Sequence, residues 1–294
     1  MRHVIPEFVS GSRVPVAAAA PLARRSVLGA MVALPSGRIG LALTCVVLAM
    51  AAFAPALASV DPFALAGQPL MHPAFGHPMG TDALGRDVLS GVLFGARTSL
   101  LVAGGVSVLT LACGMSIGLV GGYWGGWVDD VLVRLTELLQ VLPRFFLVIV
   151  AVALLGPGLD RLVLVLGLTS WPVLARVVRG DVLALRNADF VVAAQATGAT
   201  SMHILWRTIL PNVLPNAIVV IGLLFGQVLL VEASLGFLGL GDPNAMSWGL
   251  LAGQAQAFLR VAWWLPLFPG LAIAVAVLGM NLLSDALSTA LAGR

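Results

Sequence analysis

The stretch AAQATGATSMHILWRTILPN, residues 193–212, is a polar interruption lodged between two strongly apolar runs near the middle of the chain. Its surroundings fix its meaning. Hydrophobic residues make up 60% of the sequence and charged ones only 10%, and the mean hydropathy is +1.03, far from the balance of a soluble domain. Such a chain lives in lipid. In the bilayer core every backbone amide and carbonyl needs an internal partner, so spans must be helices or a closed barrel. Long unbroken apolar runs, rather than alternation, select helices. Residues 39–60, 98–128, 208–231 and 261–284 contain no Asp, Glu, Arg or Lys, and each is long enough to cross. Two further spans are expected around 137–156, interrupted by Pro143 and Arg144, and around 161–180, whose charge-free part runs from Leu162 to Ala175. The sequence therefore predicts an all-α polytopic membrane protein of about six transmembrane helices.

All 16 basic residues are arginine, and their distribution sets orientation through the excess of positive charge on the cytoplasmic side. Arg2, Arg13, Arg24, Arg25 and Arg38 precede the first span, which places the N-terminus in the cytoplasm. Threading six spans from there puts eleven arginines inside, including Arg134, Arg176, Arg179, Arg186, Arg207 and Arg294, against Arg86, Arg97, Arg161 and Arg260 outside. Both termini are then cytoplasmic. The net charge of +3 reflects topology, and without a basic surface domain no nucleic-acid partner is expected. Residues 1–38 read as a cytoplasmic tail. Arg24 and Arg25 before SVLGAMVAL resemble an export signal, but the apolar part is short, Pro35 to Arg38 break it, and a full span follows. Cys45 and Cys113 fall inside spans with no CxxC spacing and read as small packing residues.

Residues 61–97 form an outer loop on this topology. Asp82, Arg86 and Asp87 are spaced for a local ion-pair cluster, and no metal site is expected, since His72 and His77 lack a third ligand. Gly114, Gly118 and Gly122 recur every four residues, a helical stripe for close packing. Arg176 and Arg179 share a helix face, where snorkelling to the interface explains them. From Gly180 to Pro211 hydrophobicity falls. That interval reads as two short helices. Asn187 or Asp189 can cap the first, through Phe190 to Ala196, with Gly198 ending it at positive φ. Thr200 or Ser201 can cap the second, running to about Thr208 and stopping before Pro211. Phe190 with small neighbours makes an apolar knob suited to another protein's groove; an interfacial helix lying on lipid is the alternative.

The order Ala193, Ala194, Gly198, then Ile209, Leu210, Pro211 and Asn212 ahead of a span resembles the EAA loop of ABC importer permeases. Four other segments resemble the dipeptide, oligopeptide and nickel branch of that superfamily. They are HPMGTDALGRDVLSGVLFGARTSL from His77, GGYWGGWVDDVLVRLTELL from Gly121, the stretch from Leu154 to Arg186, and VEASLGFLGLGDPNAMSWG from Val231. The likeness covers roughly residues 70–290. It implies a type I permease fold, a core domain over 98–290 with its coupling loop at 187–212, and residence in the bacterial inner membrane. The implied partners are a second homologous permease, forming a heterodimer, two cytoplasmic ATPase subunits and an external solute-binding protein. No cofactor is expected on this chain, since ATP and Mg would sit on the ATPases. Carried over residue by residue, Asp189, Phe190, Ala193, Ala194, Gly198 and Pro211 belong to the ATPase contact. Glu232, Gly236 and Trp248 fall in the outward gate region, where Glu232 can bond loop amides or meet the binding protein and Leu235 to Leu251 offers a docking surface.

Two departures stand out. The family usually has glutamate where this chain has Val192; with Asp189 as N-cap, a glutamate there would complete a capping box worth ~1 kcal/mol. Val192 instead offers apolar contact or a weaker ATPase contact. Arg144 stands where the family is apolar, and can snorkel, pair with Glu137 or line the pathway; a spacing of seven leaves Glu137 too far for a firm pair. Asp285, closing the last span, is expected to face the cytosol. An ion-driven transporter would want midplane carboxylates and inverted repeats, and a membrane enzyme a motif such as HExxH or GxSxG; the chain offers neither. The branch carries peptides, glutathione or nickel, and peptide is the expected cargo.

Overall fold

The computed structural model describes residues 27–141 and 143–292, so the tail expectation for the first 26 residues, like Arg294, lies outside the described residues. The described residues are helical apart from loops with isolated bridges. In chain order they form α1 (Val27–Ala33), α2 (Pro35–Ala52), α3 (Ala54–Leu57), α4 (Val88–Trp124), α5 (Gly126–Val141) and α6 (Arg144–Leu155). Then come α7 (Leu159–Leu185), α8 (Asp189–Ala196), α9 (Ser201–Ile204), α10 (Leu210–Phe237), α11 (Trp248–Ala255) and α12 (Trp264–Ala292). Among the described residues five helices are long and apolar enough to cross a membrane, or six if α5 and α6, which meet at 81°, count as one broken span. The span expected around 137–156, interrupted at Pro143 and Arg144, is thus a bend between α5 and α6 at that interruption. Pro143 explains it: the residue has no amide hydrogen and its ring excludes a continuing helix.

The first two spans are shifted from their charge-free limits. Helix α2 begins at Pro35, with Arg38 in its first turn, and ends at Ala52 with Phe53 as its C-cap. Helix α4 begins at Val88 because Asp87 caps it, its carboxylate accepting the Ser90 amide at 2.8 Å and the Ser90 hydroxyl at 2.7 Å. It ends at Gly125, at φ +65°. Helices α4 and α7 pack through the glycine stripe as the spacing suggests. A Cβ on Gly114, Gly118 or Gly122 would fall 2.7–2.8 Å from Leu174, Val178 or Val182, whose own spacing of four matches the stripe. Helix α2 lies along α12 by the same device: a Cβ on Gly40 would meet Leu283, and one on Gly279 would meet Leu43 and Thr44. Cys45 faces out of the bundle and Cys113 is half-buried, so only the latter packs within this chain.

Two apolar cores lie at opposite ends of α4. One gathers around Trp248 and Trp264, both fully buried, with Val92, Ala96, Leu229 and Leu235. The other joins Met115 and Leu119 of α4, Leu174, Val178 and Val182 of α7, Val191 of α8 and Ile209 and Val213 near the start of α10. Residues 58–87 cover the first end as an ordered cap. Thr81 donates to the Gln68 carbonyl at 2.6 Å and accepts the Met71 amide at 2.8 Å, while Trp264 Nε1 reaches the Thr81 carbonyl at 3.2 Å. The expected cluster of Asp82, Arg86 and Asp87 does not form. Asp82 accepts the Leu84 and Arg86 amides, Asp87 bonds His77 at 3.0 Å, and the Arg86 guanidinium lies 5.3 Å from the Phe63 ring centroid. His72 lies against Trp264 instead, ring centroids 4.5 Å apart and planes tilted by 53°, so the two histidines have separate partners.

Candidate functional site

The elbow of residues 186–212 hangs from the second core. Helix α8 starts one residue earlier than expected, with Ala188 as N-cap and no side-chain cap; Asp189 sits in the first turn, where its charge favours the positive end of the dipole. Neither Asn187 nor Asp189 is the cap. Val192 is therefore one position past the third helical residue, and a capping box there is out of register. Val191 is fully buried and Ala194 half-buried, and both face the second core. Phe190, Val192 and Ala193 point outward, Phe190 46% and Val192 51% exposed. One short helix thus has an anchoring side and a presenting side.

Gly198 ends α8 at φ +83° as the sequence predicts. The Gly198 amide donates to the Gln195 carbonyl at 2.9 Å and the Ala199 amide to the Ala194 carbonyl at 3.1 Å, the paired closure that requires a left-handed residue. Nothing lies within 4 Å of a Cβ at this position, so the need for glycine is conformational and not steric. Thr200 then caps α9 by accepting the His203 amide at 3.3 Å.

The second elbow helix does not stop before Pro211. Helix α9 passes through a π-helical turn, Leu205–Ile209, directly into α10, and the Leu210 amide reaches back five residues to the Leu205 carbonyl. This wider turn admits Pro211, which lies at the start of α10 and could not donate to the residue four before it. The Asn212 side-chain Nδ2 donates to the Thr208 carbonyl at 2.6 Å, satisfying backbone near the proline. The result is one unbroken rod, Ser201–Phe237, rooted in the elbow. On its outer side Trp206 and Met202, each more than half exposed, touch through a 3.0 Å Nε1–Sδ contact.

The base of the elbow is tied on both flanks. Arg179 grips Asp129 of α5 with two bonds of 2.5 and 2.6 Å, Arg186 donates to the Gly122 carbonyl at 3.3 Å, and Asn216 of α10 donates to Asp181 of α7 at 2.8 Å. Arg176 bonds Gln140. The arginines therefore bind α4 and α5 rather than snorkelling. Sequence reading passed over Asp129; the available signal was its depth, level with Arg179 when consecutive spans are threaded in opposite directions. Arg144 donates to Ser170 of α7 at 2.5 Å, bridging α6 and α7 instead of pairing with Glu137.

At the far end of the rod Glu232 is buried, with 3% exposure, and accepts the Ser99 hydroxyl at 3.0 Å. Ser99 in turn accepts the Trp248 amide at 3.3 Å, and the Trp248 indole donates to the Val92 carbonyl at 2.9 Å. Gly236 packs so closely on Gly249 that a Cβ would lie 2.7 Å from its backbone. Glu232, Gly236 and Trp248 thus form an internal latch between α4, α10 and α11. They are not docking-surface residues, because all three are buried; the exposed part of that segment is the turn carrying Phe237, Leu238, Pro243 and Asn244.

A rod held by the bundle, with an outward-facing knob beside one end, can carry displacement. The relatives of the chain fit that geometry. Residues 114–294 match the family described as binding-protein-dependent transport system inner membrane component. A dipeptide transport system permease of Alkalihalophilus pseudofirmus is 38% identical over 223 residues, 76% of this chain and 73% of that protein. A glutathione transport system permease of Pectobacterium atrosepticum is 38% identical over 221 residues, 74% and 73% of the two chains. A di/tripeptide transport system permease of Pseudomonas aeruginosa is 37% identical over 214 residues, 72% and 71%. This chain belongs to the inner-membrane permeases of ABC importers, in the dipeptide and oligopeptide branch.

Proposed function

We propose that the chain is the permease subunit of an ATP-driven importer that moves di- or oligopeptides into the cytoplasm by alternating access, with glutathione or nickel as the other cargoes of the branch. The observation that carries the reading is the unbroken rod from the elbow to the Glu232 latch. Transport work must be passed by an element with discrete arrangements, and a hinge between elbow and span would dissipate it. In this reading the knob of Phe190, Val192 and Ala193 seats in a cleft on an ATPase subunit, which hydrolyses ATP with its own Mg. A second, different permease completes the path, and a solute-binding protein docks on the end covered by residues 58–87. Both termini face the cytoplasm, as the arginine distribution supports. An ion-driven carrier is the reading left behind, since the buried carboxylates Glu232 and Asp129 are spent on structural bonds.

The test uses the tagged chain expressed with its neighbouring permease and ATPases. Phe190→Asp and Ala193→Glu alter outward-facing positions, so the bundle still folds. Losing the apolar burial of Phe190, ~1.5–3 kcal/mol, weakens the contact about 10-fold to 100-fold. The ATPases are expected to wash off and dipeptide uptake to stop. Retention of both ATPases in both variants would overturn the assignment.

A further inference from the structure

Between α10 and α12 a groove of about 360 Å³ opens on the outside of the bundle, lined by Leu223, Leu230 and Val277 together with Gln227, Asn281 and Asp285. Gln227 and Asp285 are exposed and Asn281 half-buried. Asn281 and Asp285 are one turn apart on α12, and none of the three polar side chains has a hydrogen bond or ion pair within the described residues. Asp285 is not at the end of its helix, which continues to Ala292. The pairing of Gly37 with Ala286, of Gly40 with Leu283 and of Gly279 with Leu43 and Thr44 puts Asn281 level with the interior of α2 and Asp285 level with its first turn. Two amides at that depth, aimed out of two apolar spans, with a carboxylate one turn nearer the end of α2, need protein or water before them. One net negative charge flanked by two amides suits a cation that also offers hydrogen-bond donors.

We propose that Gln227, Asn281 and Asp285 form a cation-binding station on the transport path, facing the second permease and taking the free ammonium group of an amine-bearing cargo. The station rests on the importer reading above and adds a specificity determinant to it. The buried carboxylates already have partners, Glu232 in the latch and Asp129 on Arg179, whereas Asp285 is free to act on a passing ligand.

The experiment uses the assembled complex in inside-out vesicles, with Cys45→Ala, Cys113→Ala and Asn281→Cys in this chain. Labelling rates are measured with a cationic and an anionic methanethiosulfonate, each normalised to its rate on a small free thiol. The cationic reagent is expected to be about tenfold faster, and adding Asp285→Asn should bring the ratio near one. Alanyl-alanine should slow the labelling and its N-acetyl form should not. Equal rates in the parent would overturn the station. So would failure of either reagent to reach the thiol in the assembled complex, which would make the groove a subunit contact. If Asn281→Cys prevents assembly, Leu230→Cys, on the same groove, replaces it. Dipeptide uptake by the unsubstituted complex is followed alongside. Charge selectivity without uptake would remove the peptide reading and keep the cation station, whereas uptake without selectivity would do the reverse.

Discussion

Replacing Gly198 by alanine isolates the backbone of the elbow from its packing. The residue sits at φ +83° and nothing lies within 4 Å of the added Cβ, so the only cost is the left-handed conformation itself. For a non-glycine residue that cost is ~1–2 kcal/mol. It falls on the closure that joins α8 to α9, in which the Ala199 amide bonds the Ala194 carbonyl at 3.1 Å. Opening of that closure should therefore rise about fivefold to thirtyfold. Amide hydrogen exchange on the purified complex reads it directly: protection at Ala199 drops by that factor, while amides in the α4 and α7 packing seam hold. Uptake per ATP hydrolysed should fall with it. Gly198→Asn, which tolerates the left-handed region better, should recover most of the protection. Alanine at this position with unchanged exchange and unchanged coupling would show that the elbow does not depend on this backbone state, and the lever argument would lose its hinge-free joint.

Breaking the clamp at the elbow's base by Asp129→Asn should lower the melting temperature of the complex. The two charge-assisted bonds to Arg179 together are worth about 1.5–3 kcal/mol, and Asp129→Asn with Arg179→Leu should recover part of the loss. Gly118→Leu forces a side chain into Val178, where a Cβ alone would come within 2.7 Å, so detergent-stable protein should fall sharply. Gly180→Ala, on a helical residue with nothing within 4 Å, serves as its control and should stabilise by about 0.5–1 kcal/mol. Glu232→Gln keeps the acceptor for Ser99 and should assemble and transport. Glu232→Ala leaves the Ser99 hydroxyl short of its buried acceptor and should cost about 1–3 kcal/mol in thermal unfolding.

The spans were legible in the sequence because lipid leaves few choices: a charge-free run long enough to cross must be a helix. Helix ends were less so. Asp87 starts α4 ten residues before its charge-free core, since a capped first turn tolerates Arg97 on an exposed face while hydropathy counts the charge against it. The elbow's first helix and its glycine stop could be read, as could the Thr200 cap, because each rests on local bonding by one side chain or one φ angle. Continuity through Pro211 could not. It depends on a five-residue reach that no local rule for proline anticipates, and on the second core holding Leu205 and Ile209 in place. Bonds between distant spans were also hidden. Arg179 with Asp129, Arg144 with Ser170 and Glu232 with Ser99 join residues whose meeting is set by how the helices pack, so each polar residue was visible and its partner was not.

The positions of these bonds divide the molecule into a moving part and a frame. The rod Ser201–Phe237 touches the frame through the Asn216–Asp181 bond near its middle and the Glu232–Ser99 bond near one end, with close helix packing between them. Neither contact is a full ion pair: the first sets an amide against a carboxylate and the second a hydroxyl against one, which break and reform more readily than two matched charges. The strong pair, Arg179 with Asp129, lies within the frame, between α5 and α7. A displacement entering at Phe190 therefore meets a stiff rod, soft attachments along it, and a braced base. That ordering of strengths is what a lever needs. Had the bidentate pair tied α10 instead, the same push would be spent against the firmest contact in the bundle, and the Glu232 latch would never sense it.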